Sequence, residues 1–238
     1  MSEFVNTVDV LGDDELCDQI ILKTLTEYKD NIAIRVGLYA FQSCNSLQYV
    51  ALPNATEIYD NGFCACKSLE TIEIDKVTSI GTNAFFSCVA LKNMNAPNIT
   101  TIKRSFCECT SLEKICFPAM KNLGGTSYNY ANSFEGCTSL KTADLPIVNY
   151  IGNGIFNKCS KFIALILRNT EAVATLTNVN AFTDTPIASG TGFIYVPSAL
   201  IESYKVATNW STYANQFRAL EDYTVDGTIT GELDESKI

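Results

Sequence analysis

Apolar and polar residues alternate in short bursts along the chain, and the bursts return at a nearly fixed interval. Val50 and Leu52, Ile72 and Ile74, Met94 and Ala96, Ile115 and Phe117, Ala143 and Leu145, then Leu165 and Leu167 each enclose a single intervening residue. Alternation with period two predicts extended segments with these pairs turned inward. Ahead of each pair stands a second pattern. Phe41, Phe63, Phe85, Phe106, Phe134 and Phe156 are followed three residues later by Cys44, Cys66, Cys88, Cys109, Cys137 and Cys159. Leu47, Leu69, Leu91, Leu112 and Leu140 come three residues later still, with Phe162 in the sixth place. The cysteines recur at intervals of 22, 22, 21, 28 and 22 residues. Self-similarity at such a period marks a solenoid, in which no unit buries its apolar side except against its neighbours.

The physics of the unit predicts its shape. One strand per coil stacks on the next as a parallel sheet at about 4.8 Å per rung. The Phe-x-x-Cys segment closes the coil on the opposite side in a short 3₁₀ or α-helical turn. There the phenylalanine fills volume and the small cysteine fits a narrow column. Counting back one period places a degenerate first strand near Leu25–Asp30, and Ile194, Val196 and Pro197 mark a last one at about 191–196. The solenoid then spans 25–197 in about eight coils. The interval of 28 residues implies an inserted loop around 125–132, with Tyr128 and Tyr130 on it.

Flanking segments read as caps. Residues 1–24 contain a helix at about 14–24 with Leu16, Cys17, Ile20, Ile21 and Thr24 on one face. In 198–220, Ser198 caps a helix to about Val206 that buries Leu200, Ile201 and Tyr204, and a second helix at 210–218 buries Trp210, Tyr213 and Phe217. Residues 221–238 form an acidic tail, six acids against one lysine. Asp226-Gly227 within it suits a hairpin, with a frayed end or a link to another domain as alternatives.

Composition narrows the chemistry. Asp plus Glu is 26 against 17 for Lys plus Arg, a net charge of −9, which disfavours nucleic acid as a partner. Histidine is absent, which removes His-based triads and the commonest metal ligand. No apolar stretch reaches 18 residues, so no membrane insertion is expected. Nor does the N-terminus carry the basic and apolar regions of a secretory signal, unless one was removed before this numbering. Cys64-x-Cys66 and Cys107-x-Cys109 imitate two halves of a zinc site, but they sit two coils apart, roughly 10 Å, too far for one tetrahedral ion. Cys64, Cys107 and Cys116 fall at outward positions and are candidate exposed thiols, with no histidine to activate them. Glu70, Glu73 and Asp144 are acids of a solvated face. The reading therefore assigns no catalysis, metal or cofactor. Asn54-x-Thr56 and Asn98-x-Thr100 match glycosylation acceptors, which matter only in a eukaryotic secretory setting.

What remains is the outward side of the strands, a surface that regular solenoids present to macromolecules. Its candidate ligand-binding residues are Tyr49, Thr71, Glu73, Asn93, Asn95, Lys114, Thr142 and Asp144, with Ala51, Cys116, Ala164 and Ile166 in the same two columns.

The motif Phe-x-x-Cys-x-Ser-Leu, followed by an extended segment ending in Leu-Pro, resembles the BspA-like leucine-rich repeats of bacteria over about 25–197. The end, from Phe193 through Trp210-Ser-Thr-Tyr, is similar to units that close such arrays in gut Firmicutes. The opening at Asn6–Leu16 is similar to that of prophage-encoded repeat proteins. The resemblance implies a leucine-rich-repeat solenoid, an α/β-type superhelix with a parallel ladder on one face. It implies a non-enzymatic binding or adhesion module for a protein or glycan, at a cell surface or on a virion. A structural part of a surface or phage assembly is the alternative.

Overall fold

The computed structural model describes residues 10–11, 24–124, 131–225 and 228–229. The expected helix at 14–24 and the loop tyrosines Tyr128 and Tyr130 lie outside the described residues.

The repeating strands are present and parallel. Glu27–Lys29, Tyr49–Ala51, Thr71–Glu73 and Asn93–Asn95 form a four-stranded sheet. Lys114–Cys116, Thr142–Leu145, Ala164–Leu167, Phe193–Val196 and Phe217–Ala219 form a five-stranded one. Register follows the repeat: Tyr49 faces Thr71, and Lys114 faces Thr142 across the longer interval. Each inward residue of the pattern is buried or, like Met94, packed against the core.

The coil differs from expectation in two respects. First, it holds two strands. A second parallel ladder of two-residue strands runs through Arg35–Val36, Glu57–Ile58, Ser79–Ile80 and Thr101–Ile102. It resumes in Asn122–Leu123, Tyr150–Ile151 and Thr175–Leu176. Two residues are too few to show an alternation. Threonines support it from the side: the Oγ1 of Thr56, Thr78 and Thr100 donates to the carbonyl of Ile34, Thr56 and Thr78 respectively. Asn54 and Asn98 donate to the carbonyls of Asn31 and Asp75. The Asn-x-Thr motifs are thus accounted for by coil-to-coil hydrogen bonds.

Second, the corner containing Phe-x-x-Cys is not helical. The residues two before and two after each phenylalanine have positive φ: Tyr39 and Ser43, Asn61 and Ala65, Asn83 and Ser87, Arg104 and Glu108, Asn132 and Gly136, Gly154 and Lys158. Left-handed residues in this alternation exclude a helix. They aim alternate backbone N–H groups at the next coil instead. Phe63 N–H donates to Ala84 at 2.8 Å and Ala65 N–H to Phe86 at 2.8 Å, while Cys66 N–H turns back to Phe63 at 3.2 Å. These coil-to-coil bonds offset the cost of the backbone conformation.

Inside these corners the six phenylalanines, continued by Phe182, stack with centroids 4.9 to 5.9 Å apart. Phe106 and Phe134 keep 5.4 Å despite the insertion between them. Cysteine has a specific role beside them. The Sγ of Cys66, Cys88, Cys109, Cys137 and Cys159 donates to the carbonyl of the phenylalanine one coil back, at 2.9 to 3.1 Å. A small apolar side chain with a weak donor suits that buried position. Cys44, in the first coil, is disulfide-bonded.

At the C-terminal end, Ser198–Leu200 is a 3₁₀ turn and Ile201–Val206 an α-helix. Ser198 donates to Glu221 rather than capping, and Leu200 and Ile201 are only partly buried. Trp210–Gln216 is 3₁₀, and Phe217 lies not in a helix but in the last strand, paired with Phe193–Val196. Tyr204, Trp210, Tyr213 and Phe217 are buried, with Trp210 Nε1 donating to Ala174 at 2.6 Å. Thr224–Val225 pairs antiparallel with Thr228–Ile229, and the turn between them lies outside the described residues.

The thiol column makes stability pH-dependent. Burial pushes the thiols of Cys66, Cys88, Cys109 and Cys137 upward, and that of Cys159 up to about 12. Above the ordinary thiol value of about 8.5 the unfolded chain releases protons that the folded chain retains, so stability falls as pH rises, by up to about 1.4 kcal/mol per unit per thiol. Urea midpoints measured from pH 7.5 to 10.5 will fall steeply, and less steeply in Cys88→Ala/Cys109→Ala. Equal slopes would contradict the buried column.

Candidate functional site

The outward columns of the principal ladder divide into two environments. In the first sheet, Glu27, Tyr49, Thr71 and Asn93 stand in one column, and Lys29, Ala51, Glu73 and Asn95 in the next. Lys29 Nζ lies 5.0 Å from the centre of the Tyr49 ring, a cation–π contact. The Tyr49 hydroxyl is held above its ordinary value by partial burial and by the neighbouring negative charge of Glu73. Glu73 is exposed and Thr71 half-buried. Asn93 and Asn95 take their register places, but their side chains lie outside the described residues. In the second sheet Lys114 is exposed beside the half-buried Thr142. A charged column borders both sheets: Lys92 pairs with Glu70 at 3.3 Å and Lys141 with Glu113 at 2.7 Å.

The far half of the face is occupied by the chain itself, contrary to the expectation of an open surface. Ala164 and Ile166 point outward from the strand yet are 5% and 2% exposed, because Leu220, Tyr223 and Tyr195 pack over them. The Tyr195 and Tyr223 rings meet edge to face at 4.7 Å. Asp144, expected as a binding acid, is engaged from below. Arg168 clamps its carboxylate with Nε at 3.0 and 3.1 Å and Nη2 at 2.8 Å. Such a bidentate, partly buried pair leaves Asp144 a structural acid.

Thiol expectations also change. Cys107 is buried, its Sγ donating to the Asn132 carbonyl at 3.3 Å, and Cys64 and Cys116 are half-buried. Burial raises the Cys107 and Cys64 thiols, and burial reinforced by Asp144 pushes Cys116 up to about 11. A neutral thiol is a poor nucleophile. Glu70 is tied to Lys92, so Glu70 and Glu73 do not act as a pair. Among the described residues, no three His, Cys, Asp or Glu side chains converge on a common point that could hold a metal ion.

Sequence reasoning missed Lys29, Arg168, Leu220 and Tyr223. Lys29 sits in the degenerate first coil, Arg168 takes the slot that Pro53, Pro97, Pro118 and Pro146 fill in other coils, and Leu220 and Tyr223 lie beyond the array. It also missed an open cleft on the second ladder, lined by Leu38, Glu57, Tyr59, Asp60, Ser79 and Lys103. The cleft opens over Gly81, where a Cβ would meet Asp60 at 2.5 Å. The alternation Gly37, Tyr59, Gly81 in one column is the signal that was available.

Comparison with known proteins follows this geometry. A family profile described as "BspA type Leucine rich repeat region (6 copies)" matches residues 22–133 and 106–198. No curated protein matches the chain. Among solved structures, the pneumococcal vaccine antigen PcpA is similar with TM-score 0.56 and 19% identity, over 74% of this chain and 42% of that one. The Treponema pallidum leucine rich repeat protein gives 0.52 and 20%, over 81% and 85%. A leucine rich cell surface protein of Faecalibacterium prausnitzii gives 0.45 and 18%, over 64% of this chain and half of that one. At these identities the likeness concerns the fold.

If Leu220 and Tyr223 cover the apolar half of the face, Leu220→Ala/Tyr223→Ala will lower stability by about 2–4 kcal/mol. It will also raise binding of a fluorescent apolar dye while the circular dichroism spectrum is kept. Unchanged dye binding would show that nothing is covered there.

Proposed function

Because the chain belongs to the BspA type leucine rich repeat family, we propose that it is a non-enzymatic binding module for a protein or glycan displayed on a surface. The contact region is the uncovered half of the principal sheet face, from Glu27 to Thr142. The observation that carries this reading is the division of the face. One half is sealed by the chain's own Leu220 and Tyr223, whereas the other presents Lys29 over the Tyr49 ring and the exposed Glu73 and Lys114.

That uncovered half suits recognition for physical reasons. Within each of its two sheets the backbone is fixed by neighbouring rungs, so the outward side chains there are held at rung spacing before any ligand arrives, and little conformational entropy is lost on binding. Charges of both signs alternate across it, which selects for a partner of complementary pattern rather than of single sign. Tyr49 supplies a large ring of few rotatable bonds, a side chain well suited to either a polypeptide or a sugar. Asn93 and Asn95 complete the two columns as proposed contacts.

The test is a binding screen of the intact protein against bacterial and host surface proteins and glycans, repeated with Glu73→Lys/Lys114→Glu. Both residues are exposed, so the variant will keep the wild-type fold, and its affinity for any hit will fall by about tenfold or more. Undiminished affinity in the double variant would remove this face as the binding surface.

A further inference from the structure

One place beyond the inward residues of the second ladder runs a column of its own. Gly37, Tyr59, Gly81 and Lys103 follow Val36, Ile58, Ile80 and Ile102 in register. Gly124, Gly152 and Thr177 follow Leu123, Ile151 and Leu176 further along. Glycine is the common occupant because the coils approach closely here. A Cβ at Gly152 would meet the Gly124 Cα at 3.3 Å, and one at Gly81 would meet the Asp60 backbone nitrogen at 2.6 Å. Thr177, at the far end, ties its hydroxyl to the Ile151 carbonyl at 3.2 Å. Tyr59 and Lys103 depart from glycine on either side of Gly81, and both line the cleft described above. Two rungs separate them, about 9.6 Å from backbone to backbone. The cleft is thus a gap of one missing side chain between a tyrosine wall and a lysine wall, floored by Gly81.

The polar groups around this gap are held in place but not used up. The Tyr59 hydroxyl donates to Glu57 at 3.4 Å, which lays the ring along its own strand rather than across the gap. Glu57 also takes Arg35 Nε at 3.0 Å, and Asp60 Oδ1 takes the Thr82 N–H at 2.6 Å. Both bonds to Glu57 fall on Oε2. Its Oε1, the Oδ2 of Asp60 and the Ser79 hydroxyl have no partner among the described residues. All three residues line the cleft and are half-buried. The floor backbone is already satisfied: Gly81 N–H donates to Ile58 at 2.8 Å, and its carbonyl accepts from Ser105 Oγ at 2.9 Å. A ligand is therefore met by side chains, and chiefly by acceptors.

Charge and polarity together select the ligand. Arg35 and Lys103 balance the two carboxylates, so the cleft as a whole holds no net charge and has no excess attraction for a cation. Tyr59 and Leu38 add an apolar ring face and an apolar edge. A neutral molecule that brings several O–H donors together with an apolar C–H face fits both halves of this lining, and that combination is a sugar ring. We propose that the cleft binds a single neutral sugar residue. One C–H face of its ring lies against Tyr59 and Leu38, and its hydroxyls donate to Glu57, Asp60 and Ser79. The cleft belongs to a different ladder from the open half of the principal face, so the inference stands whatever that face captures.

Methyl glycosides of glucose, mannose, galactose and N-acetylglucosamine, titrated into the isotope-labelled full chain and followed by amide NMR shifts, test it. At least one will shift the amides of Asp60, Ser79 and Gly81 saturably and leave those of Thr71 and Lys114 unmoved. Tyr59→Ala and Asp60→Asn will each raise its dissociation constant about fivefold or more. Both variants will keep the fold, since Tyr59 occupies a place that glycine fills in other coils and asparagine keeps an oxygen for the Thr82 N–H. No saturable shift with any of the four glycosides overturns the proposal, as does undiminished binding in Tyr59→Ala. Shifts centred on Thr71 and Lys114 would assign the sugar to the principal face and overturn it too. Trilysine binding more tightly than every glycoside would show a cation site instead.

Discussion

Everything in this molecule depends on coil-to-coil backbone hydrogen bonding in register. A single coil has a few inward side chains and a backbone whose polar groups point up and down the axis, so alone it satisfies neither its apolar surface nor its amides. Stacking satisfies both, and the register that pairs the amides also brings each phenylalanine onto the next. The left-handed residues around Phe63 or Phe85 make sense only in this context. Each costs conformational energy locally and frees an N–H for the neighbouring coil.

The departures from regularity show the same constraint at work. Six extra residues after Gly124 are accommodated without disturbing the Phe106–Phe134 stack, because an insertion at a corner leaves the lengths on either side unchanged. One missing residue at the corner before Phe106 is not accommodated in the same way. The phenylalanine column holds while both ladders lose their strand pairing at that level. A shortened corner is a more severe change than a lengthened one, since a loop can bulge outward but cannot stretch.

Much of this was legible in the sequence, and the reason is the repetition itself. Six occurrences of Phe-x-x-Cys, with apolar pairs at fixed distance, fix the coil, its strand and its inward face. The outward columns containing Tyr49, Thr71, Glu73 and Lys114 follow from strand alternation alone. Three features were hidden. The second ladder rests on pairs such as Ser79–Ile80, too short to register as a pattern. The corners were misread as helical because spacing of three fits a helical turn, while the positive φ of Asn61 or Ala65 comes from pairing with the next coil. The loss of Asp144, Ala164 and Ile166 from the open face is due to Arg168, an arginine in a slot that is proline in four other coils, and to Leu220 and Tyr223, which lie beyond the array. Repetition reveals what every coil shares and is blind to what occurs only once.

A face that is half sealed and half open is the feature linking fold to function. Its open part carries rigidly spaced charges around Tyr49, and the sealed part removes the most apolar stretch of the solenoid from solvent. The most direct measurement is a hydroxyl-radical footprint of the protein while bound to whichever surface protein or glycan it captures. The account predicts protection confined to the outward residues of the open half, including Tyr49, Thr71 and Lys114. Protection centred instead on the phenylalanine corners, at Ser43, Ser87 and Glu108, would contradict it.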